Sequence, residues 1–230
     1  MATKTKIPGY VQQPKKKGLS TGALVGIVVG AVVALFVVIA IVANLGGDEG
    51  SASGGDLEQV RPVTWTGTAL PKEPEDGGED KAIGLEAPRL EGQSFDGSEV
   101  VIDPSDGRDK LLVFLAHWCN HCQAELPDLV AWKAAGKQPA DLDMVAIATG
   151  TNPTFPNYPP SEWLDREGWT DPVLADGPTT ENFEAGRAYG LSSYPYLVVV
   201  DQDGVVKARW SGEFPDEATF EAWLQGALAS

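Results

Sequence analysis

Lys110-Leu111-Leu112-Val113-Phe114-Leu115-Ala116 runs directly into His117-Trp118-Cys119-Asn120-His121-Cys122-Gln123-Ala124-Glu125-Leu126-Pro127. The first part is an apolar run too short for a lone helix, so it reads as a buried strand. The second part opens a helix expected over residues 120–135. Two cysteines separated by two residues therefore stand where a strand hands over to a helix. Backbone N–H groups at a helix amino terminus are unpaired and carry partial positive charge. They stabilise a thiolate, and the thiolate is the nucleophile of disulfide exchange. The spacing lets the second sulfur reach the first across one helical turn. Cys119, the more exposed, is expected to attack, and Cys122 to resolve the mixed disulfide and close a Cys119–Cys122 disulfide.

The chain has two cysteines and two histidines, and all four lie in this stretch. No cysteine is left to staple the fold, so stability must come from an apolar core. His121, inside the loop, is a candidate for stabilising the Cys119 thiolate. His117 sits at the strand end, its direction open. A structural zinc site needs four ligands, commonly as two separated pairs. His117, Cys119, His121 and Cys122 are too crowded for that, so no metal is expected. Covalent haem attachment requires histidine right after the second cysteine. That residue is Gln123, and no cofactor is expected.

Outward from the pair, Asp141–Ala148 and Tyr196–Asp201 read as further buried strands. Asp203-Gly204 is a turn signal, and Val205–Trp210 would return as a hairpin. Helical stretches fall at 161–167, 180–189 and 216–229, the last opened by Asp216 and Glu217, acids that suit a helix amino terminus. Strands alternating with helices argue for an α/β layer fold. Residues 150–160 hold four prolines and form a surface loop. A short strand is expected within 60–70, followed by a polar loop to Lys81.

Ala23–Ala43 is a different kind of segment, an uninterrupted run of Ala, Val, Leu, Ile, Phe and Gly. About 20 such residues cross a bilayer as a helix. A cleaved signal peptide is the rival reading, but its apolar region usually has about 7–15 residues. Lys4, Lys6, Lys15, Lys16 and Lys17 precede the span and no acid does. Positive flanks stay cytoplasmic. The expected organisation is a cytoplasmic basic tail (1–22), a transmembrane helix (23–43), an extracytoplasmic linker (44–82) and a domain over 83–230. The expected location is the bacterial cytoplasmic membrane, with a single pass and the domain outside. Disulfides persist in that compartment. Gly22, Gly26 and Gly30 share one helix face at a spacing that lets two spans approach, which offers a weak dimer contact. Beyond the span all 33 acids face 12 basic residues, a net of −21. That balance argues against nucleic acid, whose phosphates need clustered Lys and Arg.

Three motifs in order resemble the thioredoxin superfamily, and within it the membrane-tethered TlpA/ResA-type thiol–disulfide oxidoreductases with redoxin-like domains. They are Gly84-Leu85-Glu86-Ala87-Pro88 with Phe95-Asp96-Gly97; the stretch from Phe114 to Pro127; and Tyr189-Gly190-Leu191-Ser192-Ser193-Tyr194-Pro195-Tyr196. The resemblance covers about residues 83–230. It implies a thioredoxin-like fold, a central mixed sheet flanked by helices. It implies a cis proline at Pro195 facing the cysteines, with the Tyr194 backbone free to pair with a substrate chain. It further implies that Trp118 covers the disulfide, that Glu125 manages the Cys122 proton and that Pro127 kinks the helix. Partners would be protein thiols and disulfides and a membrane electron donor or acceptor. Two positions depart from the pattern. Val113 replaces the buried acid of thioredoxin. His121 stands where reductases commonly have proline, and histidine there is familiar from strongly oxidising members. The leading expectation is a protein disulfide reductase. A thiol oxidase or isomerase of the same fold, and a redox-inactive binding module, stand as alternatives.

Overall fold

The computed structural model describes residues 57–74, 78–177 and 183–230. The basic tail, the expected span with Gly22, Gly26 and Gly30, and the first part of the expected linker lie outside the described residues. Among the described residues no helix is long and apolar enough to cross a membrane.

The elements in chain order are β1 (Thr64–Thr66), β2 (Arg89–Gln93), β3 (Glu99–Ile102), β4 (Asp109–Leu115), α1 (Asn120–Ala134), β5 (Leu142–Ala148), α2 (Pro160–Arg166), β6 (Val173–Ala175), α3 (Glu184–Ala188), β7 (Tyr196–Val200), β8 (Val206–Ser211) and α4 (Glu217–Leu228). A five-stranded sheet has the order β6-β5-β4-β7-β8. β4 pairs parallel with β5, and β5 with β6. β7 and β8 run antiparallel to their neighbours. The sheet is thus mixed, with β4 at its centre. β1, β2 and β3 form a separate antiparallel sheet.

β4 reads as a continuous apolar run because both of its faces are covered. Leu111, Val113 and Leu115 point to one core, with Leu126, Leu129 and Trp132 of α1 and Phe220, Leu224 and Ala227 of α4. Leu112 and Phe114 point to the other, with Leu90 of β2, Ile102 of β3 and Ala185, Ala188 and Tyr189 at α3. The two-residue period of a strand makes that division. α4 starts as its acids suggested, since the Asp216 carboxylate accepts from Thr219 N–H at 2.7 Å.

Several elements differ from the expectation. The strand sought within 60–70 is limited to Thr64–Thr66, which pair with Arg89–Glu91. Of the helix expected at 180–189, the described part is Glu184–Ala188. α1, expected over 120–135, runs through Pro127 and ends one residue earlier, at Ala134. β2 and β3 were not anticipated, because Arg-Leu-Glu-Gly-Gln is largely polar and its hairpin is covered on one face only. β6 is three residues long, too short to leave a periodic signal. The chain ahead of residue 83 is packed in its described part: Val63 and Leu70 are buried, and Leu70 N–H donates to Ala188 carbonyl at 2.8 Å. Buried Arg209 of β8 ties this segment down by donating to Pro71 carbonyl and pairing with Asp80.

Gly190 marks where the segment ending at Leu70-Pro71 passes. Its φ is +67°, and a Cβ there would lie 2.5 Å from Pro71 oxygen and 2.9 Å from Leu70 oxygen. Gly84 has φ +86° with nothing within 4 Å. Gly84→Ala is expected to cost about 1 kcal/mol, for the backbone conformation alone. Gly190→Ala is expected to cost roughly 1–3 kcal/mol more, from overlap with backbone atoms that cannot yield. Guanidinium unfolding of the two variants tests this, and equal costs would refute the close approach.

Candidate active site

β4 delivers the chain to the carboxyl edge of the sheet and α1 begins at once. Cys119 is the N-cap residue, in extended conformation with φ −77° and ψ 121°. Its sulfur therefore sits at the positive end of the helix. Both cysteines are free thiols, Cys119 half-buried and Cys122 buried. The Cys119 thiol is pulled down to about 6, chiefly by a hydrogen bond from the Cys122 thiol, then by the N–H groups of Cys122 and His121 and the charge of His121, against the opposing effect of burial. Burial pushes the Cys122 thiol up, and the hydrogen bond it gives to Cys119 pushes in the same direction. At neutral pH one sulfur is a thiolate and the other keeps its proton.

His121 is exposed, and its Nδ1 lies 3.0 Å from a Glu213 carboxylate oxygen. That contact, with the nearby Cys119 charge, raises its pKa. The histidine is thus biased toward the cationic form beside the thiolate. Glu125 lies one helical turn beyond Cys122 and is 3% exposed. Its Oε2 accepts from the Phe214 N–H at 2.8 Å. Burial lifts its carboxyl to about 7 despite that bond, and the charges of Asp128 and Glu213 add to the rise. A carboxyl poised there can give or take a proton near neutrality. The 213–214 turn therefore serves both helix residues, holding His121 through a side chain and Glu125 through a backbone N–H.

The peptide bond between Tyr194 and Pro195 is cis. Tyr194 carbonyl oxygen lies 3.6 Å from Cys119 Sγ. The Tyr194 ring meets the Trp118 ring edge-on at 5.7 Å. Trp118 donates its indole N–H to Gly150 carbonyl at 2.8 Å and packs edge-on against Phe155 at 5.6 Å. Trp118, Cys119, His121, Cys122, Glu125, Tyr194 and Pro195 thus belong to one neighbourhood.

His117 points away from the sulfurs. It is buried, with Nδ1 2.7 Å from Pro156 carbonyl and Nε2 3.2 Å from Asn152 N–H. Glu213 was not foreseen, because it stands 92 residues from His121 in sequence and nothing local marks it. Among the described residues no group of side chains is arranged to hold a metal ion.

Comparison with known proteins places this geometry in context. The Redoxin family model matches residues 82–224. Methylamine utilization protein MauD of Methylophilus methylotrophus is 30% identical over 129 residues, 55% of this chain and 54% of that protein. The chain thus spans about half the length of that relative. Thiol-disulfide oxidoreductase ResA of Geobacillus thermodenitrificans is 25% identical over 137 residues, 59% of this chain and 73% of that one. A crystal structure of a thioredoxin family thiol:disulfide interchange protein from Chlorobium tepidum TLS superposes with a TM-score of 0.50 at 26% identity, covering 64% of this chain and 98% of that one. The described domain has the thioredoxin-like α/β fold.

The two sulfurs should separate in a pH-resolved alkylation experiment. Iodoacetamide is expected to modify Cys119 with a midpoint near pH 6 and a plateau above it, because the lowered pKa keeps the thiolate at every higher pH. Cys122→Ala should move the midpoint up further than His121→Ala, because the Cys122 hydrogen bond is the larger cause. A midpoint in the ordinary thiol range near ~8.5, unmoved by either substitution, would contradict this electrostatic picture.

Proposed function

The chain belongs to the redoxin family, and on that premise we propose that it is a TlpA/ResA-like thiol–disulfide oxidoreductase that reduces protein disulfides outside the cytoplasmic membrane. The observation that carries the oxidoreductase reading, in either direction of electron flow, is the asymmetry of the pair: Cys119 half-exposed at the helix amino terminus and Cys122 buried one turn on. The Cys119 thiolate attacks one sulfur of a substrate disulfide. The substrate S–S bond breaks, its other sulfur leaves as a thiolate that takes up a proton, and a mixed disulfide forms. Cys122 then loses its proton and attacks Cys119 Sγ. The mixed disulfide breaks, the second substrate sulfur leaves and is protonated, and a Cys119–Cys122 disulfide closes. Two electrons pass to the substrate, and a membrane electron donor must restore the dithiol. Glu125 is suited to take the Cys122 proton, because its carboxyl titrates near 7 beside a buried thiol. Tyr194 and Pro195 offer a backbone edge beside Cys119 for an extended substrate chain, and Trp118 shields the pair.

The stabilised thiolate and the His121–Glu213 pair favour a second reading in the same fold, an oxidant or isomerase. Stabilising the dithiol makes the disulfide easier to reduce, and a tenfold change in the equilibrium constant corresponds to about 30 mV. Titration against glutathione and dithiothreitol buffers tests both readings. A reversible disulfide is expected; a midpoint close to thioredoxin, about −270 mV, supports the reductase, and one near −120 mV supports the oxidant. No reversible disulfide at all would leave only a redox-inactive binding module. In cells, Cys122→Ala is expected to accumulate mixed disulfides through Cys119; accumulation through Cys122 in a Cys119→Ala variant, with none in Cys122→Ala, would reverse the roles.

The apolar run 23–43 and the lysines before it support an amino terminus inside and the domain outside. A cysteine engineered into 44–56 should be labelled by a membrane-impermeant maleimide on intact cells; labelling only after lysis would overturn the orientation.

A further inference from the structure

His117 stands two residues before Cys119, and the chemistry above gives it no part. It is 1% exposed. One ring nitrogen faces a carbonyl, at Pro156, and the other faces an N–H, at Asn152. Those opposite partners assign the hydrogen to Nδ1 and leave Nε2 bare, the neutral imidazole. Burial lowers its pKa, in keeping with that form. The backbone carbonyl of the same residue accepts from the Asn157 side chain at 3.2 Å, and its ring meets the Tyr158 ring edge-on at 5.9 Å. One side chain and its own backbone therefore hold the 152–158 loop at Asn152, Pro156, Asn157 and Tyr158.

The held loop presents aromatic surface next to the reactive thiol. Phe155 is 47% exposed and Tyr158 44%. Phe155 packs on Trp118, which adjoins Cys119. A mixed disulfide through Cys119 necessarily brings the residues around the substrate's cysteine to this spot. We propose that His117 is a positioning residue: by clamping the 152–158 loop it sets Phe155 against Trp118 as an apolar shelf, and the shelf receives apolar side chains flanking the reacting cysteine of a protein substrate. The proposal rests on the oxidoreductase reading and adds its preference among substrates.

The test uses the full chain and a short peptide whose single cysteine, flanked by leucine and tyrosine, is in mixed disulfide with glutathione. His117→Ala is expected to raise KM for this peptide about tenfold, the scale of one or two lost hydrogen bonds. The pH midpoint of Cys119 alkylation should not move. Phe155→Ala should raise KM similarly, and the double variant should be no worse than either single one, because both act through the same shelf. His117→Asn, which keeps a donor toward Pro156, should recover part of the loss and covers the case in which the alanine variant does not fold. An unchanged KM in both His117 variants, effects that add in the double variant, or an alkylation midpoint that shifts with His117 would each overturn the proposal. If the wild-type chain exchanges with no peptide disulfide, the function itself fails; if it exchanges and KM is indifferent to His117, only this inference does.

Discussion

The site depends on where β4 ends. The strand is held at the centre of the sheet by β5 on one side and β7 on the other, so its last residues have little freedom. The chain turns into α1 within a few residues, and Cys119 N–H donates to Ala116 carbonyl at 2.9 Å in that turn. The first N–H groups of α1 are thereby aimed at one sulfur. A helix terminus is useful to a thiolate only if the sulfur stays there, because the effect fades within a turn. Rigid packing of β4 on both faces supplies that condition.

From this arrangement the difference between two chemically identical side chains follows. Cys119 caps the helix and meets solvent on one side, while Cys122, one turn on, faces the core with Leu126 and Leu129. The same burial that keeps Cys122 protonated lets its thiol donate to Cys119, so each sulfur reinforces the state of the other. The turn before α4 completes the electrostatics, with Glu213 at His121 and the Phe214 N–H at Glu125. The Glu213 carboxylate acts in the same direction on both: it favours the histidine cation and raises the Glu125 carboxyl, so each neighbour holds its proton more tightly.

Much of the fold was legible because its central strands are covered on both faces. Leu111–Leu115, Met144–Ala148 and Leu197–Val200 read as continuous apolar runs, too short for helices and so assigned to buried strands. β2, β3 and β6 were not legible. They are short, part polar or at an edge, and their pairing is fixed by contacts distant in sequence, such as Leu90 against Ile102. The packed strap at Val63–Leu70 was read as linker for the same reason, since its anchors are Ala188 and, at Pro71, Arg209.

The sequence by itself determined the α/β layer pattern, the cysteine pair at a strand-to-helix junction and, through three motifs in order, the resemblance that named Glu125, Tyr194 and Pro195. The first two are local statements carried by periodicity and spacing, and the third rests on the family resemblance. Only the tertiary structure decided what each group faces. It set Glu213 against His121 across 92 residues. It turned His117 toward Pro156 and Asn152, although His117 and His121 each stand two residues from Cys119 along the chain. The reason is that protonation, tautomer and hydrogen bonding depend on burial and on distance in space, and a strand end gives no local sign of which way its last side chain will turn.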